Sequence, residues 1–146
     1  MTSVPVTAKP VDTRGLAGLS AGDTSVCSVN QTQLIYRGYE IADLAANATF
    51  EEVSYLLLVG EKPSADELAT FDAELKAERA IPTVVQSEII RIANENPDAH
   101  PMSVLRTAVS LLSHLDPDCE DNSPVAGIRK AKRLLAKIPT CIGTHQ

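Results

Sequence analysis

The chain has 146 residues, a formal net charge of −6, 44% hydrophobic residues and 22% charged residues. That is the size of one domain able to bury a core, and the negative balance disfavours non-specific binding to nucleic acid or anionic membranes. Aromatic residues reach only 3% and Trp is absent, so the core must be aliphatic, which favours close-packed helices over a β-sandwich.

Residues 1–13, with Pro5 and Pro10 among small polar residues, read as a flexible tail, and residues 14–146 as one mostly helical unit. Residues 24–29 and 32–36 alternate weakly and are expected to pair as a small hairpin across Asn30 and Gln31. A turn at Gly38 then leads into a short amphipathic helix. Thr49, with Glu52 three residues on, forms a capping box for a second helix, which Gly60 closes and Pro63 keeps from restarting. Val53, Tyr55, Leu56, Leu57, Leu58 and Val59 make that helix apolar almost all round. Other helices are therefore expected to cover it on several sides, making 34–63 the centre of the fold.

Ser64 and Glu67 give a second capping box, followed by Leu68, Phe71 and Leu75 on one helical stripe. Pro82 interrupts, and Thr83 starts a helix whose apolar content is Ile89, Ile90 and Ile92. His100 opens the next helix with Pro101 at its first position, and Met102, Leu105, Val109 and Leu112 form its expected stripe. After an acidic loop over 115–122, Ser123 and Pro124 start the last helix. Its expected stripe is Ile128, Ala131, Leu135 and Ile138, and Pro139 is expected to kink or end it.

Cys27, Cys119 and Cys141 are odd in number, widely spaced and without a C-x-x-C pair. A disulfide framework or zinc site is therefore disfavoured and a reducing cytoplasm expected. No basic segment followed by an apolar run of roughly 7–15 residues suggests a signal peptide. No window approaches the ~20 apolar residues of a membrane span.

Few residues invite a chemical role. His100 reads as a helix-opening residue, His114 as a partner for the carbonyls ending its helix, and His145 as isolated. Arg37 reads as structural, pairing with carbonyls or a carboxylate while Gly38 makes the turn. Arg129, Lys130, Lys132, Arg133 and Lys137 are interrupted by apolar residues and lack interleaved aromatics, so they read as a solvated helix face rather than a nucleic-acid surface. Asp116, Asp118, Glu120 and Asp121 lack the glycine and terminal glutamate of a calcium loop. They read as a solvent loop around an exposed Cys119.

Tyr36-Arg37-Gly38-Tyr39, followed by Phe50-Glu51-Glu52-Val53-Ser54-Tyr55-Leu56-Leu57-Leu58-Val59-Gly60, resembles the N-terminal part of the citrate synthase family. His100-Pro101-Met102 with Val104-Leu105-Arg106, and Leu135-Ala136-Lys137-Ile138-Pro139-Thr140, are similar to two later family signatures in matching order. The resemblance runs over about residues 14–142. It implies an all-α fold, the multi-helix N-terminal part of the family's large domain with a small β-hairpin. It also implies an acyltransferase that condenses acetyl-CoA with oxaloacetate to give citrate and CoA. The coenzyme A thioester would be a substrate, with no permanently bound cofactor and no metal.

By the same resemblance Arg14, in Arg14-Gly15-Leu16-Ala17-Gly18, matches a family arginine placed on the phosphates of coenzyme A. A guanidinium beside glycines can grip phosphate with two N–H groups; without the resemblance, Arg14 reads as an exposed arginine of the tail. The family keeps its catalytic groups in a His-x-x-His-type motif, a Gly-Pro-x-His-Gly motif and a late aspartate. None of these occurs here, so no residue of this chain is assigned a catalytic role and the chain alone is expected to be inactive. The complete enzyme is expected to be a homodimer packed through large-domain helices, binding neither nucleic acid nor membrane. The alternative is a stand-alone helical interaction module, or a non-catalytic subunit derived from a citrate synthase.

Overall fold

The computed structural model describes residues 23–29 and 32–146, so the expected tail at 1–13, the hairpin tip at Asn30 and Gln31, and Arg14 lie outside the described residues. Strands β1 (Cys27–Val29), β2 (Leu34–Tyr36) and β3 (Tyr39–Glu40) form an antiparallel sheet in that order. Cys27 pairs with Tyr36 and Val29 with Leu34. The third strand is an addition to the expected hairpin. It arises because Arg37 and Gly38 adopt φ of 47° and 90°, the pair of positive values that a two-residue type I′ turn requires. Tyr36 is thereby set opposite Tyr39.

Six helices follow: α1 (Ile41–Asn47), α2 (Phe50–Val59), α3 (Ala65–Ala77), α4 (Thr83–Glu95), α5 (Pro101–Leu115) and α6 (Pro124–His145). Their starts follow local chemistry. The Thr49 N–H donates to Glu52 Oε2 at 2.6 Å while Glu52 N–H donates to Thr49 Oγ1 at 3.2 Å, a complete capping box. Ser64 and Glu67 repeat it on α3. His100 caps α5 by accepting the Met102 N–H on Nδ1 at 3.2 Å. Gly60 ends α2 at φ 109°, in the left-handed region.

The all-α class with a small sheet is what the structure shows, but the packing is organised around α6 rather than around 34–63. One core cluster joins α4, α5 and α6 through Val85, Ile89, Val104, Ala108, Leu112 and Cys141. A second joins α3 and α6 through Phe71, Leu75 and Ala136, with Tyr55 and Leu58 of α2 against it. The Tyr55 and Phe71 rings meet edge-to-face at 5.5 Å. α2 buries Leu56 and Ser54, yet Phe50 stays 63% and Val59 49% exposed, so its covering on several sides is not reached among the described residues.

Three helical expectations are corrected. Pro139 does not end α6: the helix continues to His145. Proline withdraws the N–H that Leu135 C=O would accept. The backbone on both sides is nonetheless held by buried Ala136 and Cys141 and by the Thr140 hydroxyl donating to Arg79 O at 2.8 Å. The buried residues of α6 are Ala126, Ala136 and Cys141, while Ile128, Ala131, Leu135 and Ile138 are half-buried. A helix wedged between two clusters has no single apolar stripe, and small side chains mark where its neighbours approach closest. On α5 the buried row is Val104, Ala108 and Leu112, an i, i+4 ridge, whereas Met102 is 63% exposed.

Candidate functional site

The β2–β3 turn positions one clamp. Arg37 Nη1 donates to Ser25 Oγ at 2.8 Å and Nη2 to Leu57 O at 3.1 Å, while its backbone N–H donates to Val26 O. Leu57 O is one of the carbonyls that end α2 without an intrahelical donor, so a cation there also opposes the negative end of the helix dipole. Arg37 Nε is enclosed without a partner. The structural reading of Arg37 therefore holds, with α2's carbonyl as its acceptor. Lys62 adds a contact from the other side, its ammonium 4.3 Å from the Tyr39 ring centre.

The second constellation joins two groups that the sequence places apart. Arg133 grips Asp116 with Nε and Nη2 at 2.8 and 2.7 Å, and its Nη2 also reaches Asp118 Oδ2 at 2.6 Å. Arg129 grips Asp118 with Nε and Nη2 at 2.9 and 2.7 Å. Lys130 Nζ donates to the backbone oxygen of Asp121 at 2.7 Å. The acidic stretch is thus no free solvent loop, and the basic run no freely solvated face: the loop is strapped to the first half of α6. Further along, Lys132 pairs with Glu74 at 2.6 Å and Lys137 with Glu78 at 2.5 Å, tying α6 to α3 and the residue that follows it.

The strap leaves an electrostatic signature. Hydrogen bonds from Arg129 and then Arg133 hold the Asp118 carboxyl well below the usual carboxylate range. Those from Arg133 lower Asp116 against the opposing effect of its partial burial. The same pairs raise both arginines. Asp116-x-Asp118 facing Arg129-x-x-x-Arg133 was the available signal, since i, i+4 arginines share a helix face. A single sequence does not show which loop that face meets.

Beneath the strap lies a cleft of about 340 Å³. Pro82, Val109, Leu112, Leu115 and Leu134 supply its apolar lining and Lys130, Arg133 and Lys137 its cations, with Asp116 and Cys119 also lining it. A second hollow of about 420 Å³ lies between α5 and the end of α6, against Met102, Leu105, Ile142 and His145. His145 therefore stands beside apolar surface, His100 serves as a cap, and His114 is exposed in the last turn of α5. Among the described residues no group of three or more His, Cys, Asp or Glu is placed to hold a metal ion. Cys141 is buried, which raises its thiol pKa, whereas Cys119 is exposed.

The family model described as citrate synthase, C-terminal domain, matches residues 15–146. The 2-methylcitrate synthase of Shewanella oneidensis is 43% identical over 137 residues, covering 92% of this chain and 35% of the relative. Citrate synthase 2 of Bacillus subtilis is 43% identical over 127 residues, 87% of this chain and 34% of the relative. The chain thus spans about a third of the length of these curated relatives. Among solved structures, citrate synthase from Pyrobaculum aerophilum superposes with a TM-score of 0.80 at 29% identity, covering 99% of this chain and 40% of that one. The Thermoplasma acidophilum citrate synthase, solved in a ternary complex with carboxymethyl coenzyme A and oxaloacetate, shares the fold at a TM-score of 0.81 and 20% identity, over 94% of this chain and 36% of that one.

Proposed function

Because the chain belongs to the citrate synthase family, we propose that it forms the helical N-terminal part of an acyltransferase condensing acetyl-CoA with oxaloacetate to give citrate and CoA. The observation that carries this reading is the family match over residues 15–146, which takes in every helix described here. In this scheme the chain supplies scaffold rather than chemistry. The groups that take a methyl proton from the thioester and stabilise the enol oxygen belong to motifs this chain does not contain. Arg14 is assigned the phosphates of coenzyme A, where a bidentate guanidinium suits the anion.

The same reading makes the whole protein a homodimer packed through its helices. Met102 and Ile142 stand exposed on α5 and α6, at 63% and 48%, ready for cover. No helix among the described residues is long and apolar enough to cross a membrane, and the scheme places the protein in a reducing cytoplasm.

The test is release of CoA thiol from acetyl-CoA and oxaloacetate, run with the chain alone and with the separately produced remaining two-thirds, roughly, of a relative. Relatives named for citrate and for 2-methylcitrate are equally similar at 43%, so propionyl-CoA is run alongside. The expected result is no turnover by the chain alone and turnover on mixing. Arg14→Ala is expected to raise the KM for the thioester by roughly tenfold, the worth of a charge-assisted hydrogen bond. Turnover by the chain alone would overturn the division of labour. A stable monomer that joins neither the remainder nor the thioester would favour the alternative, a stand-alone helical module.

A further inference from the structure

We propose that the cleft between the α5 C-terminus and the middle of α6 is a binding site for a short aliphatic carboxylate, its chain on the apolar wall and its head on Lys130. Nothing in the acyl-transfer reading uses this cleft, and the inference stands or falls independently of it.

Shape and charge point the same way. The volume, about 340 Å³, lies within the ~300–1,000 Å³ of small-molecule sites, which are mostly apolar with a few polar groups that fix orientation. The wall is built from Val109, Leu112, Leu115 and Leu134, with Pro82 closing one side. Water gains no hydrogen bonds against such side chains, whereas an alkyl chain lying there removes apolar area from water.

Lys130, Arg133 and Lys137 all border this wall, and at spacings of three and seven they lie along one face of α6. Two of them are already matched: Arg133 by Asp116 and Asp118, Lys137 by Glu78. Lys130 differs. Its ammonium donates to the Asp121 backbone oxygen, and among the described residues it has no carboxylate within ion-pair distance. Among the described residues, Lys130 is therefore a cation lining the cleft with no carboxylate at ion-pair distance, beside an apolar hollow that complements an amphipathic anion. A neutral alkane would leave that charge unmatched, and a polyanion would also meet Asp116, a carboxylate in the lining. A single carboxylate on a short alkyl chain satisfies both ends.

Sodium octanoate, used well below its micelle concentration, is titrated into the chain while methyl resonances of Val109, Leu112 and Leu134 are followed, with octanol as the neutral control. Saturable shifts confined to these methyls, with affinity at least tenfold better for octanoate than for octanol, are expected. Lys130→Glu is expected to weaken octanoate binding at least tenfold while leaving octanol unchanged. Leu134→Trp, which fills the cleft, is expected to abolish both. Replacing Lys130 leaves the apolar lining intact, so its variant keeps the question open to refutation even where the Leu134 variant does not fold. Shifts spread over other apolar patches would overturn the assignment, as would equal affinity of octanoate and octanol or unchanged octanoate binding by the Lys130 variant.

Discussion

Gly60 and the Asp116–Asp118–Arg129–Arg133 strap show two ways in which single residues hold this fold. At Gly60 the cost of a side chain lies in the backbone. A Cβ built there would meet the Arg37 guanidinium at no closer than 3.9 Å, an ordinary contact, but φ of 109° is a conformation that L-residues avoid. Gly60→Ala is expected to lower stability by about 1–2 kcal/mol, measured by urea denaturation, with Gly60→Asn recovering part of the loss because Asn tolerates the left-handed region. The strap gives a pH dependence. Asp116 and Asp118 have folded-state pKa values depressed by their arginines, so the stability they contribute is fully present above the unfolded value near ~3.9. It is lost as pH falls through the lower folded values. Arg133→Gln is expected to lower the melting temperature at pH 7 and to flatten its decline between about pH 4 and 2. An acid limb as steep as that of the unaltered chain would show that the strap carries no such linkage.

At the scale of elements, α6 decides the architecture. It is the helix shared by the two core clusters, and it accommodates a proline in its interior. Pro139 is exposed, so replacing it removes no buried contact while returning an N–H to the helical ladder. Pro139→Ala is expected to stabilise the chain by up to about 3 kcal/mol, read as a rise in the thermal midpoint. A fall would mean that the proline ring packs in a way its exposure does not indicate. The starts of α2, α3 and α5 were legible because a cap is a local contract between residues three or fewer positions apart. The buried rows of α5 and α6 were not. Leu105 and Val109 are as apolar as Val104 and Ala108, and only the direction from which α4 and α6 approach decides which row is covered.

At the scale of the molecule, some of the exposed apolar residues border hollows between helices. Met102 and Ile142 border one hollow between α5 and α6, and Phe50 borders another against α6. If the proposed homodimer covers the first of these, light scattering should show a mass that rises with concentration. Met102→Glu should shift association to at least tenfold higher concentration without changing the helical circular dichroism, since Met102 is outside the buried row of α5. Association unaffected by that substitution would place the interface elsewhere.

The sequence by itself determined the helical class, the capped helix starts, the glycine stop of α2, and a family resemblance that the match over residues 15–146 bears out. These rest on short-range hydrogen bonding, backbone conformation and composition, all carried by neighbouring residues. Only the tertiary structure decided that α6 rather than α2 is the spine, that Pro139 leaves the helix running, and that Asp116 and Asp118 face Arg133 and Arg129. Each of those depends on which surfaces meet, and long-range packing brings together residues whose individual character leaves several partners open.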